Sequence, residues 1–193
     1  KEDFDWAKRL NKTIKLVAQI DNSLDGFNAR VYPVLVDTKH PLAAIRGALN
    51  AVLVEGENIN QLVFSGPGAG SAPTASAIMG DVLSACHQMV SSQTNWYPLR
   101  TPKSGNKAFK DVLSSWFIRL SVKDEPGVLA TIAGLFGENN VSIESVIQEG
   151  RGDNAELVLV THEAEENNLN SSIESIANLS SVSSVTSTIR VYI

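Results

Sequence analysis

The sequence from Val112 onward switches repeatedly between two hydrophobic periods. Apolar and polar residues alternate in "SWFIRLSVK", "VSIESVIQE" and "SVTSTIRVYI", which predicts strands with one buried face. "AELVLVTH" is almost continuously apolar, as in a central strand that is covered on one or both faces. Two further stretches have helical spacing of their apolar residues: Leu129, Ile132, Ala133 and Phe136 in the first, and Leu169, Ile173 and Ile176 in the second.

The order of these segments is strand, helix, strand, strand, helix, strand. This βαββαβ order predicts the ferredoxin-like split-βαβ arrangement, an α+β fold. Helical spacing places Leu129, Ile132, Ala133 and Phe136 on one face of the first helix, with Pro126 in its first turn.

The chain has 193 residues, enough for one large domain or two small ones. Its net charge of -5 argues against nucleic acid as a main partner, because phosphate binding requires a basic surface. No apolar run approaches the roughly 20 residues that span a bilayer, which argues against a membrane partner. The single Cys86, interpreted as a small core residue, cannot form an internal disulfide, so we expect a cytoplasmic protein.

The first half of the chain also predicts a mixed set of elements. A short helix with Trp6 and Leu10 on one face precedes two strands, and Pro33 places the second at an edge or a bulge. A short helix entered through Pro41, two short strands and a long helix follow. The polar, proline-containing stretch after that helix indicates a linker. The predicted division is a first domain over 1–92, a linker over 93–111 and a second domain over 112–193.

The turn "DEPGVL" carries the stronger of two ligand signals. Pro126 and Gly127 leave the first N–H groups of the following helix bare, and such groups attract a carboxylate. Asp124 is placed to accept from an α-ammonium group, and Asn140 and Ser142 would face the turn. An ordinary strand-to-helix turn explains the same residues equally well.

The segment "FIRLSVKDEPGVLATIAGLFGENNVSIESVIQEG", followed by "AELVLVTHEAEE", resembles an ACT domain, a type of amino-acid sensor attached to biosynthetic enzymes. The resemblance covers about residues 115–193 and implies a ligand between two copies of the domain. The loop of one copy would meet the start of the second strand of the other. The implied effector-binding residues are Asp124, Pro126, Gly127, Val128 and Leu129 on the loop, with Asn140, Val141, Ser142 and Ile143 opposite.

A glycine-rich turn, "GPGAG", precedes the long helix of the first half. Gly66, Gly68 and Gly70 would let successive backbone N–H groups converge on a phosphate, and the helix after Ser71 adds its positive end. The spacing matches neither the dinucleotide fingerprint nor the P-loop, since no lysine follows. A close packing turn between strand and helix is the alternative.

The wider stretch containing "HPLA", "NAV", "VEG" and "GPGAGSAPTASA" resembles the C-terminal part of homoserine dehydrogenase. The resemblance implies part of the substrate and dimerisation domain, with Gly70, and Gly68 and Ala69 beside it, contacting an NADP or NAD cofactor in the full-length enzyme. It places the catalytic residues upstream of residue 1, so this chain by itself is expected to be inactive and to bind no cofactor. A non-enzymatic amino-acid-binding regulatory protein is the alternative.

The two resemblances also imply regulation and assembly. Threonine is the first candidate effector, because it lies downstream in that biosynthetic pathway. A homodimer or homotetramer is expected, paired through the strand face around Val31–Val36 and through the edge of the ACT sheet. His40, His87 and His162 lack the spacing of metal ligands, so no metal site is predicted.

Overall fold

A computed structural model describes residues 1–23, 26–91, 112–152 and 155–192. The predicted linker, 93–111, lies outside the described residues. The elements, in chain order, are α1 (Glu2–Arg9), β1 (Lys12–Ser23), β2 (Gly26–Asp37), a 3-10 turn (Pro41–Ala44), β3 (Leu49–Gly56), β4 (Asn60–Pro67), α2 (Ser71–Ser91), β5 (Leu113–Val122), α3 (Val128–Glu138), β6 (Ile143–Glu149), β7 (Ala155–Thr161), β8 (Ala164–Glu165), α4 (Glu166–Ala177) and β9 (Val182–Val191).

These elements form two compact units that divide the chain at a different place from the predicted domains. One unit combines Lys1–Thr38 with the described residues from 112 onward, and the other lies within 39–91. The first helix and hairpin thus belong to the same compact unit as the C-terminal part of the chain. The domain boundaries at 92 and 112 stay a prediction.

The larger unit contains one sheet in the order β1-β2-β9-β5-β7-β6, with β8 beside β5. The four strands β9, β5, β7 and β6 pair antiparallel in the order of the ferredoxin-like fold, which confirms the predicted α+β class. The β1–β2 hairpin extends this sheet, because β2 lies parallel to β9 with Val34 opposite Arg190 and Leu35 opposite Val191. Of the two edges of the ACT sheet, the one at β9 is therefore paired with the chain's own N-terminal hairpin at these two positions.

One face of the sheet is covered by α3 and α4. The predicted inward face of β5 is confirmed, since Ile118, Leu120 and Val122 are almost fully buried there. The predicted buried face of α3 is wrong at Leu129, whose side chain is 41% exposed, whereas Val128 is buried. Because α3 begins at Val128, its buried stripe follows positions 128, 132 and 136, and Leu129 lies outside that stripe.

The other face is covered by α1. Trp6 and Ala7 pack with Leu35, Phe117 and Val158, and Leu10 lies partly buried against them, as predicted for this face of the helix. Strand β7 is consequently buried on both sides, which explains its nearly continuous apolar sequence and confirms its central place.

Pro33 satisfies the predicted edge environment locally, although β2 is an interior strand. It lies opposite Leu16 of β1, and the pairing with β9 begins only at Val34. At Pro33, β2 therefore pairs with β1 and not with β9, so the missing N–H of proline costs no hydrogen bond to β9.

The smaller unit contains the β3–β4 hairpin and α2. The hairpin pairs antiparallel from Leu49 and Pro67 to Gly56 and Asn60. The predicted helix is confirmed, but Cys86 is exposed, which contradicts its interpretation as a core residue. The other apolar residues of the predicted helical face, such as Ile78 and Met89, are exposed as well, because no described element covers that face of α2. Among the described helices, none is both long and apolar enough to cross a membrane.

Candidate functional site

The loop between β5 and α3 is exposed and ends at a residue with unusual backbone geometry. Asp124, Glu125, Pro126 and Gly127 are all exposed. Gly127 has φ +94°, which L side chains rarely adopt, and it occupies the N-cap position of α3 without providing a side-chain cap. No side chain of the cap residue therefore covers the first turn of α3. The predicted bare N–H groups are only partly present, because the N–H of Val128 donates to the carbonyl oxygen of Glu125 at 3.3 Å.

Asp124 is held by the β6–β7 hairpin of the same chain. Its backbone N–H donates to the carbonyl oxygen of Gly152 at 2.8 Å. Its Oδ1 atom accepts from Nε2 of Gln148 at 2.9 Å. Sequence reasoning missed Gln148, since nothing in "SVIQEG" links its amide to a residue 24 positions earlier. Only the pairing of β6 beside β7 brings the two side chains together.

The segment 140–143, which was predicted to lie opposite the effector loop, contains both exposed and buried residues. Asn140 has φ +57° and is exposed, and so is Ser142, whose carbonyl oxygen accepts from the N–H of His162 at 2.9 Å. Val141 is buried and Ile143 packs partly against the α3–α4 core. The side chains of Asn140 and Ser142 are thus accessible to a ligand, whereas Val141 and Ile143 contribute shape and support.

The opposite face of this sheet carries a charge cluster that sequence reasoning also missed. Arg119 of β5 is largely buried and contacts Glu2 at 2.6 Å, Asp3 at 3.0 Å and Glu156 at 2.5 Å. Burial alone lowers the pKa of Arg119, but the hydrogen bonds to Glu156 and Glu2 and the nearby Asp3 carboxylate raise it further than burial lowers it. The hydrogen bond from Arg119 lowers the pKa of Glu2.

Two further contacts fasten α1 to the same face. Arg9 donates to both carboxylate oxygens of Glu149, which raises the pKa of Arg9 and lowers that of Glu149. The Arg9 guanidinium also stacks 3.9 Å from the centre of the Trp6 ring, and the Trp6 indole donates to Glu156. A cavity of about 410 Å³ lies along this contact, lined by residues that include Trp6, Arg9 and Arg119.

Two glycines in the glycine-rich loop of the smaller unit have different structural roles. The N–H of Gly68 donates to the carbonyl oxygen of Ala48 at 2.9 Å, and a β-carbon at Gly68 would lie 1.9 Å from the Asn50 amide. Gly68 therefore serves close packing, as in the alternative interpretation. Gly70 has φ +132° and lies directly before α2, with Ala69 beside it. The described residues contain no group of three or more His, Cys, Asp or Glu side chains arranged to hold a metal ion.

Comparison with known proteins matches both parts of the chain. The family profile described as homoserine dehydrogenase matches residues 1–83, and the ACT domain profile matches 116–181. The homoserine dehydrogenases of Mycobacterium leprae and Bacillus subtilis are 38% and 34% identical over 97% and 98% of this chain. The alignments cover 45% of each relative, so the chain spans slightly less than half the length of the curated relatives it matches.

Solved structures agree with these matches. A crystal structure of a homoserine dehydrogenase from Thiobacillus denitrificans superposes with a TM-score of 0.89 at 29% identity, covering 99% of this chain and 45% of that one. That of Staphylococcus aureus at pH 7.5 gives 0.66 at 25% identity, covering 98% and 44%. The ferredoxin-like sheet and the ACT profile over residues 116–181 define the second part of the chain as an ACT regulatory domain. The chain belongs to the homoserine dehydrogenase family and corresponds to a C-terminal portion of the enzyme.

Proposed function

We propose that this chain supplies the regulatory and subunit-pairing part of a cytoplasmic, NAD(P)-dependent homoserine dehydrogenase, which interconverts L-homoserine and L-aspartate semialdehyde. The observation that carries the proposal is the continuity of the match. One relative aligns over 97% of the chain, through both the glycine-loop segment and the ACT sheet. A free-standing amino-acid sensor would require only the second of these parts.

The proposed effector is a small amino acid, with threonine as the first candidate. Its carboxylate would lie on the uncapped first turn of α3, and its ammonium group near Asp124. Asn140 and Ser142 of a second copy would complete the site. The exposed loop, the positive φ of Gly127 and the exposed side chains of Asn140 and Ser142 support this assignment.

The proposed cofactor contact in the complete enzyme is at Gly70 and Ala69, with Gly68 behind them. The position of Gly70 directly before α2 fits a polar group of the cofactor, because a helix start presents N–H groups. The engaged N–H of Gly68 assigns it a packing role instead. The nicotinamide group, when bound, supplies the hydride chemistry, and these residues would shape one side of its pocket.

Pairing of subunits is supported by an apolar stripe on the β1–β2 hairpin. Three cross-strand pairs place six exposed, apolar or proline side chains on one face, namely Leu16, Ala18, Ile20, Ala29, Val31 and Pro33. Leu16 and Ile20 are each 75% exposed and Val31 is 68% exposed. The pairing surface predicted over Val31–Val36 is therefore corrected. Val34, Leu35 and Val36 are buried within the chain, and the stripe is the face that a second copy would cover.

The experiment is a homoserine oxidation assay on the complete gene product, followed by the absorbance of the reduced nicotinamide. Turnover that L-threonine inhibits is the expected result. Absence of turnover with both NAD and NADP would favour the non-enzymatic regulatory protein instead.

A further inference from the structure

Two consecutive residues at the end of β6 make contacts on opposite faces of the sheet. Gln148 reaches Asp124 in the effector loop, and Glu149 reaches Arg9 in α1. Adjacent side chains of a strand point to opposite faces, and Ile147 already packs in the cluster beneath α1. The effector loop and α1 are thus connected through one peptide bond of an edge strand.

On the loop side, Asp124 makes two polar contacts with the β6–β7 hairpin. One is the Gln148 amide and the other is the carbonyl oxygen of Gly152. A ligand ammonium group drawn to the Asp124 carboxylate would compete with or tighten the Gln148 contact. Either change acts directly on the last residues of β6.

On the α1 side, the strand register places two like charges opposite each other. Glu149 pairs with Glu156 across β6 and β7, an arrangement that is unfavourable without a cation. Arg9 binds Glu149, and Arg119 binds Glu156 together with Glu2 and Asp3 of α1. The attachment of α1 therefore offsets the repulsion at the end of the hairpin that holds Asp124.

We propose that Gln148 and Glu149 couple the effector site to α1: Gln148 is a positioning residue for the Asp124 carboxylate, and Glu149 transmits its placement to Arg9. This inference rests on the proposed effector site. Ordering of the loop by ligand would fix the end of β6 and strengthen the attachment of α1. By reciprocity, loosening α1 must weaken effector binding by the same factor.

The test is hydrogen exchange of the α1 backbone amides in the 193-residue chain, with and without saturating L-threonine, together with calorimetry for the affinity. In the unmodified chain, threonine is expected to slow α1 exchange about five-fold, the lower end of usual coupling factors. Glu149→Gln should remove this response and weaken threonine binding by the same factor. Gln148→Leu, which removes the donor to Asp124, should do likewise.

Lys8→Gln is the matched control, because it removes one charge from α1 at an exposed contact with Asp5 and leaves β6 untouched. It should retain both the exchange response and the affinity. Threonine binding without any change in α1, or an unchanged response in Glu149→Gln, overturns the coupling alone. Failure of the unmodified chain to bind any of threonine, isoleucine, methionine and serine overturns the proposed effector site, and the coupling with it.

Discussion

Trp6 in α1 and Glu156 in β7 are 150 positions apart in sequence and are joined by a hydrogen bond of 2.7 Å from the indole nitrogen to the carboxylate. The Trp6 ring is 3% exposed, so the N-terminal helix is part of the hydrophobic core of the ACT sheet. The regulatory sheet and the start of the chain accordingly form one structural unit.

Removal of the Trp6 side chain should therefore destabilise the ACT sheet itself. For Trp6→Ala we expect a loss of about 3–5 kcal/mol in the free energy of unfolding, the usual cost of deleting a buried aromatic ring. Urea unfolding measures it, and Phe4→Ala is the control. Phe4 lies in the same helix and is 55% exposed, so an equal loss there would contradict the assignment.

Stability should decrease on acidification through the carboxylates that bind α1. The pKa of Glu149 lies below its ordinary value of 4.5 in the folded chain, because Arg9 hydrogen-bonds to the charged form. The folded state therefore binds fewer protons than the unfolded state, and the contribution is complete above pH 4.5 and lost as the pH falls through the folded pKa. Urea unfolding between pH 7 and pH 3 should show a shallower pH dependence in Glu149→Gln than in the unmodified chain.

A charge in the apolar stripe of the β1–β2 hairpin should prevent pairing of subunits. Val31→Glu would bury an unpaired carboxylate in the proposed interface, and we expect the dimer dissociation constant to rise about 100-fold or more. Light scattering at tens of micromolar measures the assembly. Asn170→Glu, which adds the same charge on the exposed side of α4, should leave it unchanged. A monomeric unmodified chain would contradict the proposed interface.

Two substitutions test the effector loop. Asp124→Ala should weaken threonine binding by about 1.5–3 kcal/mol, the range for a hydrogen bond to a charged group. Gly127→Val should abolish binding, since a branched side chain is strained at φ +94° and would distort the loop, although the space around its β-carbon is open. Gly134→Ala adds a β-carbon to open space within α3 and should bind normally. Calorimetry with threonine, isoleucine, methionine and serine would decide among effectors.

The chain by itself should not oxidise homoserine with NAD or NADP. The resemblance places the catalytic residues of the family in the part of the relatives that this chain does not cover, and the alignments reach 45% of their length. The nicotinamide absorbance assay on the purified chain measures this. Turnover above background would contradict the assignment of catalysis to the remaining part.

Sequence reasoning predicted those features that are encoded within short windows. The alternation in β5 and the spacing in α4 each reflect one buried face, so the order of elements in the ACT sheet followed from them. The exposed turn at Pro126 and Gly127 was predictable for the same reason, because its chemistry is local. Leu129 was misplaced, since its burial depends on where α3 begins relative to the sheet.

The sequence by itself therefore determined the main helices and strands of the ACT sheet, their order and the exposed loop. It did not indicate the short strand β8, and the helix predicted after Pro41 is a 3-10 turn of four residues. Only the tertiary structure decided that β2 lies parallel to β9, that α1 covers the second face, and that Gln148 meets Asp124. These contacts depend on which surfaces compete best for burial and on strand register across segments distant in sequence. No local pattern encodes that competition, because an apolar face is equally satisfied by any partner of suitable shape.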